Sequence, residues 1–302
     1  MENTTMPQPL SGVLSALLTP FTPDGALDEA TLRRVVDRNI DGGLHGVVAC
    51  GSTGEFTTLS GSERRRVVET VIDQTAGRVP VVAQTGAQST TEAIDLSRHA
   101  EAAGADAVML VAPYYEPLTL AETKRYLATV AGSITIPVML YNLPVATGVN
   151  MPPAFVGELA REVDNIRYIK DTSADMAQAG QLVHNYGDVI STFVGWDSLL
   201  LAALTEGVAG VMAGTANVLA AELVSIHAAM TERDLDRARE EWSRIYPLVD
   251  AIMAAPFTPA IKHALNAVGF AVGDPRLPVF PLDPETGATI SRLATAVLQP
   301  VA

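Results

Sequence analysis

Eight short apolar runs, separated by stretches of helical periodicity, limit what this chain can fold into. They cover residues 12–18, 46–49, 79–84, 107–111, 137–141, 166–170, 190–194 and 210–213. The runs are apolar almost throughout rather than alternating, the pattern of parallel strands buried on both faces. Between them lie amphipathic segments at 28–42, 62–75, 91–104, 120–131, 153–162, 176–186 and 198–207, with Ser62 and Glu63 read as opening the second. Strand–helix alternation with short links demands right-handed crossovers and a parallel sheet. Eight such units close naturally into a (β/α)8 TIM barrel. An open doubly wound α/β sheet is the alternative, but it usually carries a glycine-rich dinucleotide fingerprint; neither G-x-G-x-x-G nor a Walker sequence is present.

Beyond Asn217 the pattern is helical only. Residues 218–230 supply an eighth barrel helix, and 234–255 and 259–268 begin an extension. Pro275, Pro278, Pro281 and Pro284 mark an irregular crossing before a last helix at 289–298. The expectation is a barrel over residues 1–232 that holds the active site, and a C-terminal helical domain over 233–302.

The net charge of −14 disfavours nucleic acid and anionic membranes as partners. It also means that an acid substrate must be held by local donors. The first ten residues show no signal-peptide pattern, and the apolar stretch 198–214 is broken by Glu206 and by glycines. With a single cysteine, Cys50, there is no intramolecular disulfide; a cytoplasmic protein is expected.

Lysine is scarce: Lys124, Lys170 and Lys262 stand against 17 arginines (20 Lys and Arg in all). Lys170 closes the sixth strand run. An amine desolvated in an apolar interior can lose its proton and attack a carbonyl, which a guanidinium cannot do. The plainer alternative is a strand-end lysine paired with Asp171. The other strand ends weigh against it, because in a barrel chemistry gathers at the C-terminal ends of strands.

Strand 2 runs into Gly51-Ser52-Thr53-Gly54-Glu55-Phe56, a glycine-bracketed turn whose N–H groups can face one anion. Strand 4 leads to Pro113-Tyr114-Tyr115, strand 5 ends at Tyr141-Asn142, strand 7 at Gly195-Trp196-Asp197, and strand 8 at Ala213-Gly214-Thr215. Together they suit an imine-forming lyase. Lys170 would attack the ketone of a 2-oxo acid, Tyr141 would shuttle protons, and Ser52 and Thr53 would hold the carboxylate. The five histidines lack close ligand spacing and Cys50 reads as an apolar filler, so neither a metal nor a cofactor is expected.

These motifs, Gly51-Ser52-Thr53-Gly54-Glu55, Pro113-Tyr114-Tyr115, Tyr141-Asn142-x-Pro144 and Ile169-Lys170-Asp171, resemble the dihydrodipicolinate synthase / N-acetylneuraminate lyase family. The resemblance runs from about Gly12 to the proline-rich C-terminal segment. It implies metal-independent class I Schiff-base chemistry on pyruvate and an aldehyde, in a homotetramer. Lys170 then matches the imine lysine, Tyr141 the catalytic phenol, and Tyr115 a tyrosine that reaches a neighbouring subunit's site.

Within the family, the synthases carry an arginine two residues after the Tyr-Asn-x-Pro proline, where this chain has Ala146. The neuraminate lyases lack Asp after the lysine, where this chain has Asp171. The closest similarity in pattern is to 2-keto-3-deoxy sugar-acid aldolases. Ser52, Thr53, Thr172, Asp197 and Met212 form the substrate-binding set, with Thr172 and Asp197 assigned to the hydroxylated tail. The alternatives are the synthase itself, a 4-hydroxy-2-oxoglutarate aldolase, a keto-deoxy sugar-acid dehydratase, or a non-enzymatic 2-oxo acid sensor. Such a sensor needs neither Lys170 nor Tyr141.

Overall fold

The protein is described by a computed structural model over residues 9–298. The strands are β1 Gly12–Ala16, β2 Gly46–Ala49, β3 Val81–Gln84, β4 Ala107–Val111, β5 Val138–Asn142, β6 Ile166–Asp171, β7 Ser191–Val194 and β8 Gly210–Ala213. Each pairs in parallel with its sequence neighbours, and β8 returns to β1, so the sheet is a closed barrel. Around and between the strands run α1 Glu29–Asp41, α2 Gly61–Thr75, α3 Thr90–Ala103, α4 Leu120–Ala131, α5 Pro144–Thr147, α6 Pro153–Glu162, α7 Met176–Tyr186, α8 Leu200–Glu206 and α9 Ala220–Thr231. Then α10 Leu235–Ala254, α11 Phe257–Ala267 and α12 Pro284–Leu298 extend the chain beyond the barrel. This is the (β/α)8 TIM barrel with a C-terminal helical extension that the alternation implies. The expected domain boundary falls at Glu232, the C-cap of α9.

The apolar runs become strands because both faces are covered: every residue of β1 to β5 is buried. Helix starts are fixed by side chains. Ser60 accepts from Glu63 N while Glu63 caps Ser60 N, and Thr119 and Glu122 form the same reciprocal box.

Several boundaries differ from the sequence reading. Helix α2 is capped by Ser60 rather than opened by Ser62. Pairing of β1 stops at Ala16, not residue 18, because Asn217 inserts its amide: Oδ1 accepts from Leu18 N at 3.2 Å and Nδ2 donates to Ala16 O at 2.8 Å. Pro284 starts α12 five positions before the expected 289; proline needs no N–H partner in a first turn, and Asp283 accepts from Glu285 N and Thr286 N. The short α5 was not anticipated. Among the described residues no helix is long and apolar enough to cross a membrane. Most of the segment read for a signal peptide, residues 1–8, lies outside the described residues.

Candidate active site

Lys170 lies at the C-terminal end of β6, in register with Tyr141 on β5 and Phe193 on β7, and is buried. Its Nζ sits 4.3 Å from the centre of the Tyr141 ring. No carboxylate lies within ion-pair distance of it among the described residues. Asp171, the next residue, faces the opposite way, as strand alternation requires. Its Oδ1 accepts from Asn142 Nδ2 at 2.8 Å and Gln178 Nε2 at 3.1 Å, and its Oδ2 from Ser173 Oγ at 3.0 Å. Burial raises the Asp171 pKa, and those three hydrogen bonds oppose the rise. The plain reading of Lys170 as a partner of Asp171 is therefore not what the fold builds. Asp171 instead ties β5, β6 and α7 together.

Gly195, just past β7, is the reason the lysine can lie where it does. A Cβ on Gly195 would overlap both Lys170 Cε and Thr172 Oγ1. The Gly195 backbone has little freedom to retreat, since its N–H donates to Asp171 O at 2.8 Å.

The buried Tyr141 hydroxyl is 3.3 Å from Ser52 Oγ, and either can donate. Ser52 is expected from sequence as a carboxylate ligand alone; the contact also joins its hydroxyl to the phenol, and Ser52 itself is exposed. Within its turn, Gly54 N donates to Gly51 O and Glu55 N to Ser52 O, both at 3.0 Å. The amides of Ser52 and Thr53 have no protein acceptor among the described residues, leaving two donors side by side. Thr53 is buried, its Oγ1 beside Gly214 at the end of β8.

The remaining candidates divide. Thr172 is buried, its Oγ1 without a hydrogen-bond partner, packed with Lys170 against Gly195. Asp197 is not free for a substrate tail on both oxygens: Oδ1 accepts from Thr215 N at 2.7 Å and Thr215 Oγ1 at 2.5 Å, joining the ends of β7 and β8. Burial raises its pKa, opposed first by the Thr215 bonds and then by the charge of Lys170. Met212 is buried in β8, paired with Leu14. Tyr115 is not gathered into its own chain's cluster; it stands 83% exposed beyond β4.

Beside Ser52 is a cavity of about 160 Å³ lined by Phe56, Thr57, Val111, Tyr114, Leu143 and Ala146. No cationic side chain lines it, and Ala146 contributes only a methyl group.

Two features escaped the sequence. Glu55, the residue closing the turn, forms a buried ion pair with Lys262 of α11 at 2.6 Å. Cys50 and Glu55, on either side of the turn, adopt left-handed backbone with φ 57° and 55°. The scarcity of lysine marks Lys262 as much as Lys170, but nothing in the local sequence couples it to Glu55.

A closed barrel with a buried amine at the end of β6, beside a phenol and next to a turn with free amide donors, defines a class I, Schiff-base-forming lyase. The chain belongs to the dihydrodipicolinate synthetase family, whose model matches residues 9–297. It is 41% identical over 279 residues to 4-hydroxy-tetrahydrodipicolinate synthase of Pelobacter propionicus, covering 92% of this chain and 96% of that one. The synthase of Methanothrix thermoacetophila is 40% identical over 285 residues, 94% of this chain and 96% of the other. Among solved structures, YagE of Escherichia coli K12, a prophage protein of the same family in complex with pyruvate, superposes with a TM-score of 0.91 at 32% identity, covering 95% of this chain and 98% of that one.

Proposed function

We propose that this chain joins pyruvate to an aldehyde, or releases it from one, through an imine on Lys170. The single observation that supports this most is the Lys170 amine over the Tyr141 ring, with Tyr141 in hydrogen-bond contact with Ser52. The amine adds to C2 of pyruvate; loss of water from the carbinolamine gives the iminium. Tyr141 takes and returns the protons of this exchange, with Ser52 passing them toward solvent. The iminium draws electrons from C3, which loses a proton to give an enamine. Bond formation from C3 to an aldehyde carbon, with the aldehyde oxygen protonated, is one direction; the reverse is cleavage. Water then frees the lysine. The Ser52 and Thr53 amides and the Thr53 hydroxyl hold the pyruvate carboxylate against the net negative charge of the protein.

For the aldehyde, the names of the relatives support the synthase reaction, condensation of pyruvate with aspartate semialdehyde, and that reading stands first. A specific observation favours a second: a pocket wall at Ala146 without any cation suits an aldehyde that carries hydroxyls rather than a carboxylate, as a 2-keto-3-deoxy sugar acid would release. Thr172 is the candidate for that tail. A homotetramer in which Tyr115 completes a neighbour's site goes with either reading and accounts for a tyrosine left in solvent.

The test is a direct comparison. Pyruvate production from 2-keto-3-deoxy sugar acids is measured beside pyruvate consumption with aspartate semialdehyde. A kcat/KM at least about tenfold higher for one partner, roughly 1.4 kcal/mol of transition-state preference, decides between them. Turnover of neither, with no pyruvate adduct, overturns the reaction class.

A further inference from the structure

The turn holding Ser52 and Thr53 is gripped from outside the barrel. Its flanking residues Cys50 and Glu55 are non-glycine residues in the left-handed region. Such backbone persists where surroundings enforce it. At Glu55 the enforcing groups come from more than 200 positions later in the chain. Glu55 Oε1 lies 2.6 Å from Lys262 Nζ, with both side chains almost wholly buried, and Oε2 accepts from the Arg276 backbone N–H at 2.9 Å. Lys262 also donates to Asp274 O at 3.1 Å and lies 4.5 Å over the Phe21 ring. The Arg276 guanidinium stacks on the same ring at 4.2 Å and donates to Thr58 O, just beyond the turn, at 3.0 Å. A bidentate contact with Glu63 anchors it, holding that carboxyl down at about 2.

Stability alone does not account for such an arrangement. Desolvating two ions offsets most of their attraction, and an apolar pair could fill the same space. What the ion pair adds is a fixed position for Glu55, three residues from Ser52. We infer that Glu55, held by Lys262 and Arg276, is a positioning residue for the Ser52-Thr53 turn, so that the segment beyond the barrel sets the carboxylate-binding amides. The effect on binding rests on the pyruvate reading above; the ordering of the turn does not.

The experiment uses the full chain and three variants. Lys262→Met breaks the pair. Glu55→Gln with Lys262→Met removes both charges, so no buried ion is left alone and folding is retained. His263→Leu, also on α11, removes bonds to Gly287 O and Ser291 Oγ and serves as a control of general destabilisation. Hydrogen exchange of the peptide spanning residues 50–59 is read without ligand, and pyruvate KM and kcat are read separately. The expectation for Lys262→Met and for the double variant is exchange in that peptide at least about tenfold faster. Pyruvate KM rises by a similar factor and kcat stays within about threefold. The double variant keeps these changes even with its melting temperature recovered, and His263→Leu shows neither. Wild-type exchange in the folded double variant overturns the inference, as does an equal effect from His263→Leu. If the wild type takes no pyruvate, the function reading fails and the exchange data alone decide the positioning claim.

Discussion

Substituting Gly195 by alanine puts one methyl group where the lysine must lie. The added Cβ would overlap Lys170 Cε and Thr172 Oγ1, and the strand end cannot yield because Gly195 N–H is bonded to Asp171 O. Restoring ordinary carbon–carbon separation of about 3.5–4 Å obliges the side chain to retreat by roughly 1 Å. Overpacking of this kind costs about 1–3 kcal/mol of stability. Its effect on chemistry is larger, since a displacement of about 1 Å at a reacting atom can cost about 10²-fold in rate. Gly195→Ala should therefore fold, melt a few degrees lower, and form the borohydride-trapped pyruvate adduct about a hundredfold more slowly. Adduct formation at the wild-type rate in a folded variant would show that the amine does not depend on this cradle, and the geometric argument for Lys170 would fall with it.

Tyr141→Phe keeps the ring over Lys170 but loses the hydroxyl bonded to Ser52, so kcat should drop by roughly 10²–10⁴ while circular dichroism stays unchanged; a smaller loss in kcat removes Tyr141 from the proton path. His45 and His227 meet with tilted rings whose centres are 4.9 Å apart, and burial lowers both pKa values from the ordinary 6.5. The unfolded chain then binds these protons more readily, so their contribution to stability is full above pH about 6.5 and fades as pH falls toward the depressed values. Thermal melts from pH 8 to 5 should show the decline, His227→Gln should flatten it, and an unchanged slope in that variant would dismiss the pair as its source. Ala146→Arg introduces a cation into the cavity beside Ser52; it should raise KM for a hydroxylated substrate severalfold and lower KM for aspartate semialdehyde, and the opposite pattern would remove Ala146 from aldehyde selection.

The barrel was legible because its signal is repeated: eight apolar runs with helices between them leave few topologies open. Strand ends were legible for the same reason, and Lys170, Tyr141 and the Ser52-Thr53 turn do converge in space. Side-chain direction was not. Asp171 follows Lys170 in sequence, yet pleating turns it into a cluster with Asn142 and Gln178. Asp197 lies at a strand end as expected, and its Oδ1 is taken by Thr215 from the adjacent strand end, a pairing between two strand ends that local sequence does not show. The Glu55–Lys262 pair joins residues too distant in sequence for any local pattern to couple them. The reason for Gly195 lies in the side chains of Lys170 and Thr172 packed against it, which the local sequence does not show.

The central claim is that Lys170 forms the imine, and peptide mass analysis after borohydride reduction with pyruvate measures it directly. One reduced adduct per chain is predicted, on the peptide containing Lys170, absent in Lys170→Ala and in Lys170→Arg because guanidinium cannot form the imine. An adduct on Lys124 or Lys262, or none on a chain that turns over pyruvate, would contradict the account.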